Sequence, residues 1–213
     1  MNSSLPQTKA DAVGILVLEE FVNFQAVSFI KFIGRSKEYI PNQYLHWREP
    51  NARPEEGFNS HYGRCDLIVR GKSVDLHLFD LPMSLLPDFN LSNLIFPVEI
   101  GGCLLLANNH AFSRTTENGT KTWPKKRFPG WLDWIQAQKT TFLVAVTGSD
   151  APALPVDEFL SYLSLKPETQ VVELPSHHVA DSILEHVFEM AEAKRVLAAL
   201  VESIITNVPH VPD

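Results

Sequence analysis

Cysteine is scarce: only Cys65 and Cys103 occur in 213 residues, each inside an apolar, strand-like stretch. A disulfide framework needs more than that, and two buried reduced thiols fit a reducing compartment. Long apolar runs are missing too. None reaches the roughly 18 residues of a membrane-spanning helix, and residues 1–10 are polar with no signal core, so the expected location is cytoplasmic. Cations are outnumbered, with 18 Lys and Arg against 25 Asp and Glu, for a formal net charge of −7. That balance disfavours nucleic acid and anionic membranes as partners. What remains is an ordinary globular composition, 45% hydrophobic and 20% charged, long enough to bury a full core in one domain.

Strand and helix signals alternate between a polar lead-in (residues 1–11) and a Pro-containing tail (207–213), leaving one domain over 12–206. An apolar run at 13–18 reads as a buried strand. Ala26, Phe29, Ile30 and Ile33 then recur at i, i+3, i+4, i+7, the spacing of one helix face. Residues 37–60 show no period and read as a long loop. Stretches 64–70 and 73–79 flank Gly71-Lys72 as a hairpin, with Leu76 and Leu78 alternating with Asp75 and His77. Continuous apolar runs at 101–107 and 141–146 read as strands covered on both faces. A second polar loop spans 108–129, and helices are expected at 131–138 and 155–163. A strand follows at 171–174, and 181–205 reads as helical throughout, with a break possible near 190–192. The order β-α-β-β-(α)-β-α-β-α-β-α predicts a three-layer α/β/α domain. Its sheet is expected to be mostly parallel and six-stranded, with one antiparallel edge strand. Ligands of such sheets sit at the carboxyl ends of the strands.

At the first of those ends, residues 18–25 occupy the strand-to-helix slot of the phosphate loop G-x-x-x-x-G-K-[ST]. None of its chemistry is present. Leu18 and Asn23 stand at the glycine positions, Phe24 at the lysine and Gln25 at the Mg²⁺-binding hydroxyl. Glycines let backbone N–H groups wrap the phosphates, and the lysine neutralises their charge. Glu19 and Glu20 add repulsion, roughly 3 kcal/mol per charge pair at about 6 Å and an effective dielectric of about 20.

The wording of several segments resembles a known family. Tyr62-Gly63-Arg64 followed by Leu76-His77-Leu78-Phe79-Asp80-Leu81-Pro82 is similar to the "YGR" and "LHLFGTPGQ" stretches of the prokaryotic Ras-like gliding-motility and cell-polarity GTPases. Residues 142–150 (FLVAVTGSD) resemble their guanine-recognition strand, and 171–174 and 196–202 resemble the following strand and the terminal helix. The resemblance runs over roughly 12–206 and implies a P-loop NTPase-like, Ras-like domain. Its functional positions are largely replaced. Asp80 matches the second-motif aspartate, but Met83 and Ser84 replace the glycine and glutamine beyond it. Thr147 and Gly148 replace asparagine and lysine of the guanine motif, where Asp150 alone survives.

The resemblance therefore implies a pseudo-GTPase: no enzyme, no resident cofactor or metal, and a scaffold or complex subunit. By resemblance its partner is a related active GTPase or a roadblock-type regulator. The alternative is an unconventional guanine-nucleotide-binding protein, holding GDP or GTP with Mg²⁺ through the vestigial ligands Asp80 and Asp150, with weak or no hydrolysis. Against that, an aspartate at a strand end commonly caps a local turn. Phe21 and Phe24 are candidates to fill the vacated pocket or to join the core. His177, His178 and His186 suggest a metal, but adjacent residues point apart and zinc needs three or four converging ligands. The two long loops and the sheet edge are the expected contact surface. There Trp123, Lys125, Lys126, Arg127, Trp131 and Trp134 offer aromatic anchors and charge complementarity.

Overall fold

A computed structural model describes residues 11–19, 25–47, 57–80, 94–108, 140–147, 158, 160–161, 165, 167–179 and 182–207. The apolar runs become the middle of a sheet. Strand β1 (Asp11–Glu19) lies between β4 (Lys72–Asp80) and β6 (Ile100–Asn108), and β7 (Thr141–Thr147) and β8 (Val171–Leu174) continue outward, all parallel. Ile15, Leu16 and Val17 have no exposed surface, nor have Cys103, Leu104 and Leu105. Consecutive residues point to opposite faces, so burial of both sets means both faces are covered, and the sequence signature is an unbroken apolar run.

Beyond β4 the sheet turns antiparallel. Strand β3 (Gly57–Val69) pairs with β4, β2 (Glu38–Trp47) with β3, and the two-residue β5 (Leu94–Ile95) with β2. The full order is β5-β2-β3-β4-β1-β6-β7-β8. The expected six strands with one antiparallel edge strand are thus corrected to eight, three of them in an antiparallel extension. The long loop expected at 37–60 is the source of the error. Tyr39, Ile40, Tyr44 and Leu45 favour a strand, but Pro41 interrupts the pattern. A bulge absorbs it: from Ile40↔Tyr62 to Gln43↔Ser60, β2 advances three residues and β3 two. Proline cannot donate to a ladder and is tolerated at such places. The β3–β4 turn falls at Arg70-Gly71, one residue earlier than expected, with φ of 50° and 76°. Two successive positive φ values match the right-handed twist of a two-residue hairpin.

Helix α1 (Gln25–Gly34) follows the expected spacing, and Ala26, Phe29, Ile30 and Ile33 are all buried. The helix expected over 181–205 is half right. Residues 182–188 form strand β10 (Ser182–Phe188), paired antiparallel with β9 (Ser176–Val179) as a separate two-stranded sheet. Helix α2 (Met190–Asn207) begins only after it. Phe188 explains the switch, because its ring meets Phe29 edge-on at 5.3 Å and Phe32 at 6.2 Å. A tertiary contact overrides a helical pattern there. Val196, Leu197, Leu200 and Val201 of α2 join α1 and alternate residues of the sheet, Ile15, Val17, Leu104 and Leu106 among them, in one core cluster.

Helix α1 crosses β3 at very short range. A Cβ on Gly63 would stand 2.8 Å from the Ile30 carbonyl oxygen and 2.9 Å from Ile30 Cγ2. Backbone cannot retreat cheaply, so Gly63→Ala is expected to destabilise the fold by about 1–3 kcal/mol. A urea melt checks this; an unchanged midpoint would show that α1 is free to lift off the sheet.

Candidate functional site

The parallel strands end together at Glu19, Asp80, Asn108, Thr147 and Leu174, and α1 starts at this end. Of the phosphate-loop positions, Leu18 and Gln25 are described; Asn23 and Phe24, with Phe21, lie outside the described residues. Leu18 is buried within β1. Glu19 folds back seven residues, and its Oε2 accepts the N–H of Ala26 at 3.0 Å. The first N–H groups of a helix have no intrahelical acceptor, and its N-terminus carries about half a positive charge. This is where helices bind phosphate. In this chain its own carboxylate takes one of those donors. Gln25 is fully buried, and its Oε1 accepts the Thr147 hydroxyl at 2.8 Å, tying the start of α1 to the end of β7.

Asp80 is engaged sideways. Its Oδ1 accepts the backbone N–H of His61 and lies 3.1 Å from Ser60 Oγ, which also stands 2.7 Å from the Asp80 carbonyl oxygen. Among the described residues its side-chain partners are on β3, across the ladder; the turn that would follow Asp80 lies outside the described residues. Burial pushes the Asp80 carboxyl above its usual value, and the His61 N–H and charge pull the other way. The neighbouring Tyr39 hydroxyl meets His61 Nδ1 at 2.9 Å, with the two rings stacked. Burial, then the charge of Asp80, raises the Tyr39 phenol.

A second polar cluster, on β3 and β4, was not singled out by sequence spacing. Arg64 Nε lies 2.9 and 3.1 Å from the two Asp75 oxygens, and Nη2 closes a fork on the same carboxylate. Lys37 Nζ reaches Asp75 at 3.1 Å and Asp66 at 2.6 Å. The Arg64 guanidinium therefore holds Asp75 well below the usual carboxylate range, against burial. His77 Nε2 is 3.5 Å from Asp75, and its Nδ1 is 2.9 Å from the Tyr62 hydroxyl. Burial lowers the His77 pKa and pushes Tyr62 up to about 12. The detectable signal was the alternation of Asp75 and His77 with Leu76 and Leu78, together with Arg64. Opposed register (Arg64↔His77, Asp66↔Asp75) brings them together. The charges are matched to one another, so the cluster fixes strand register.

Asp150, Trp123, Lys125, Lys126, Arg127, Trp131 and Trp134 lie outside the described residues. Of the two loops expected to form a contact surface, 109–134 is likewise outside; in the other, 38–47 is strand β2, 57–60 belongs to β3, and 48–56 lies outside the described residues. Cys65 and Cys103 are free and buried, their thiols raised by burial to about 11 and about 12, as inert core residues are. Among the described residues no group of three or more His, Cys, Asp or Glu side chains converges on one point, and no helix is long and apolar enough to cross a membrane.

The raised Asp80 pKa has a definite sign in stability. The folded state holds this proton more tightly than the unfolded chain, so stability falls as pH rises from 3.8 through the folded-state value. Asparagine keeps the oxygen acceptor for His61 and Ser60 without a buried charge. Asp80→Asn should gain on wild type between about pH 4 and pH 7, measured as the difference in urea stability at the two values. A variant that loses ground over that range would mean the carboxylate is stabilised in place.

No protein-family model matches this chain, and no curated protein matches it.

Proposed function

We infer that the chain is a non-catalytic, Ras-like pseudo-GTPase domain that acts by binding another protein, as a scaffold or a subunit of a heteromeric complex. Glu19 carries this reading. Its carboxylate accepts the Ala26 N–H at the helix start, where a phosphate-binding loop would present donors to a phosphate. A phosphate there would have to displace the carboxylate, worth about 1 kcal/mol as a cap, and then sit beside it. The repulsion of roughly 3 kcal/mol per charge pair has no lysine to offset it, since Phe24 takes that position. Two further observations support the same conclusion. Gln25, at the Mg²⁺-ligand position, is buried against Thr147, and Asp80 is bonded to β3. The order β3-β4-β1-β6-β7-β8, with only β3 reversed, is that expected of a Ras-like domain; β2 and β5 extend it.

The natural partner for such a domain is a related active GTPase or a roadblock-type regulator, and its contact falls on the basic, Trp-rich segment. Trp123, Trp131 and Trp134 provide large anchors, and Lys125, Lys126 and Arg127 steer an acidic partner. The sheet edges suit contact poorly. On one side the edge strand β5 is two residues long and pairs only with His46 and Trp47 of β2, whose remaining edge is interrupted by Pro41 and a bulge; on the other, Arg195 donates to the Glu173 carbonyl on the outer strand β8.

Two measurements test this. Millimolar GTP, GDP or ATP with Mg²⁺ should leave the melting temperature unchanged, whereas a ligand at about 100 times its dissociation constant would add about 2.7 kcal/mol. A reproducible rise would favour a nucleotide-binding protein. Affinity capture should yield a stoichiometric partner that the triple variant Trp123→Ala, Lys125→Glu, Lys126→Glu no longer retains. A wild-type protein that emerges alone refutes the scaffold role.

A further inference from the structure

Tyr62 and His77 form a buried polar pair on the face of β3 and β4 opposite the core cluster. The Tyr62 hydroxyl lies 2.9 Å from His77 Nδ1, and only 7% of Tyr62 and 9% of His77 is exposed. The other ring nitrogen, Nε2, faces Asp75 Oδ2 at 3.5 Å. Asp75, forked by Arg64 and met by Lys37, is an ionised carboxylate and can only accept. That fixes the direction of the chain. The neutral ring carries its proton on Nε2, toward the carboxylate; Nδ1 is bare, and the Tyr62 hydroxyl donates to it. We propose that this chain is an acid-operated latch: protonation of His77 puts a hydrogen on Nδ1, Tyr62 loses its acceptor, and the aromatic contacts that Tyr62 holds loosen.

Those contacts run toward the antiparallel edge of the sheet. The Tyr62 ring lies 5.2 Å from that of Phe79, which meets Phe96 at 5.2 Å, directly after β5. Strand β5 is tied to β2 by two residue pairs alone, so it is the element that a shift of Tyr62 reaches most readily. Among the described residues, two cations already share Asp75: Arg64, which Glu38 also approaches, and Lys37, which Asp66 also holds. From the other side β1 brings Ala12 and Gly14 opposite Asp75 and His77, and neither titrates. A charged imidazole would be a third cation on one carboxylate, in a place with little water. Burial is the larger cause that holds the His77 pKa below 6.5, and Arg64 and Lys37 add to it against the pull of Asp75. The folded chain therefore takes this proton less readily than the unfolded chain. Stability is lost as pH falls from 6.5 through the folded-state value.

Imidazole NMR of the full wild-type chain tests the direction first. At neutral pH the His77 proton should sit on Nε2 with Nδ1 bare, and the opposite tautomer overturns the latch whatever a variant does. On acidification the ring resonances of Tyr62, Phe79 and Phe96 should move with the His77 midpoint; rings that stay still while His77 titrates refute the proposal. Tyr62→Phe removes the donor to Nδ1, so the His77 midpoint should rise by about 0.5 or more. An unchanged midpoint means that the hydroxyl and the ring are not coupled. His77→Asn offers Tyr62 an oxygen acceptor with no proton to gain. Wild type should therefore lose urea stability relative to His77→Asn between about pH 7 and about pH 5, and a constant difference overturns the latch.

Discussion

The seat of helix α1 on the sheet governs the rest of the arrangement. At its carboxyl end, Gly34 and Gly63 let helix and strand approach so closely that a Cβ on Gly63 would strike the Ile30 backbone. At its amino end, Glu19 holds the Ala26 N–H and Gln25 is bonded to Thr147. Between these points Phe29, Ile30 and Ile33 are fully buried. A helix fixed at both ends has little freedom to shift. Because α1 also receives Phe188, its position fixes the β9–β10 hairpin as well.

This seat changes what the end of the sheet can do. In a nucleotide switch, the helix start is left open so that ligand phosphates complete it, and the fold responds to their loss. Here the donor is satisfied from within, by a carboxylate attached to the end of β1. The second potential ligand, Asp80, is similarly committed, its oxygen shared by Ser60 and the His61 N–H. A ligand biases one state over another only through a contact that differs between the two, and Glu19 already takes one donor that such a contact would use.

Much of the fold was legible because burial on both faces writes itself into sequence. The runs at 13–18, 101–107 and 141–146 became β1, β6 and β7 with boundaries close to those expected. The failures share one cause, long-range contact. Pro41 hid β2 because its bulge makes sense only against β3. Residues 181–205 were read as helical throughout, and only the contact with Phe29 and Phe32 explains why Phe188 ends a strand. At the site, Leu18 and Gln25 were informative through the absence of glycine and hydroxyl. Glu19 was read solely as a source of repulsion. Its role as a cap depends on the path between residues 19 and 26, which spacing does not reveal. Asp80 was expected to serve a local turn, which lies outside the described residues; the partners described are about twenty residues earlier in the chain.

The antiparallel extension shows how the chain handles a sheet wider than its helices. On one side β3 and β4 contribute Cys65, Leu67, Leu76 and Leu78 to the core cluster. On the alternate positions they carry Arg64, Asp66, Asp75 and His77. Such alternation is what an antiparallel sheet with one solvated face requires, and the like charges Asp66 and Asp75, directly opposed, would repel without help. Lys37 bridges both and Arg64 forks onto Asp75. Lys37 follows α1 directly, so the helix that seals the mouth at its first residue also delivers, just past its last, the cation that neutralises the open face. Moving α1 would therefore expose the helix start and leave two opposed carboxylates short of a cation. That coupling is a physical reason for this domain to hold one conformation.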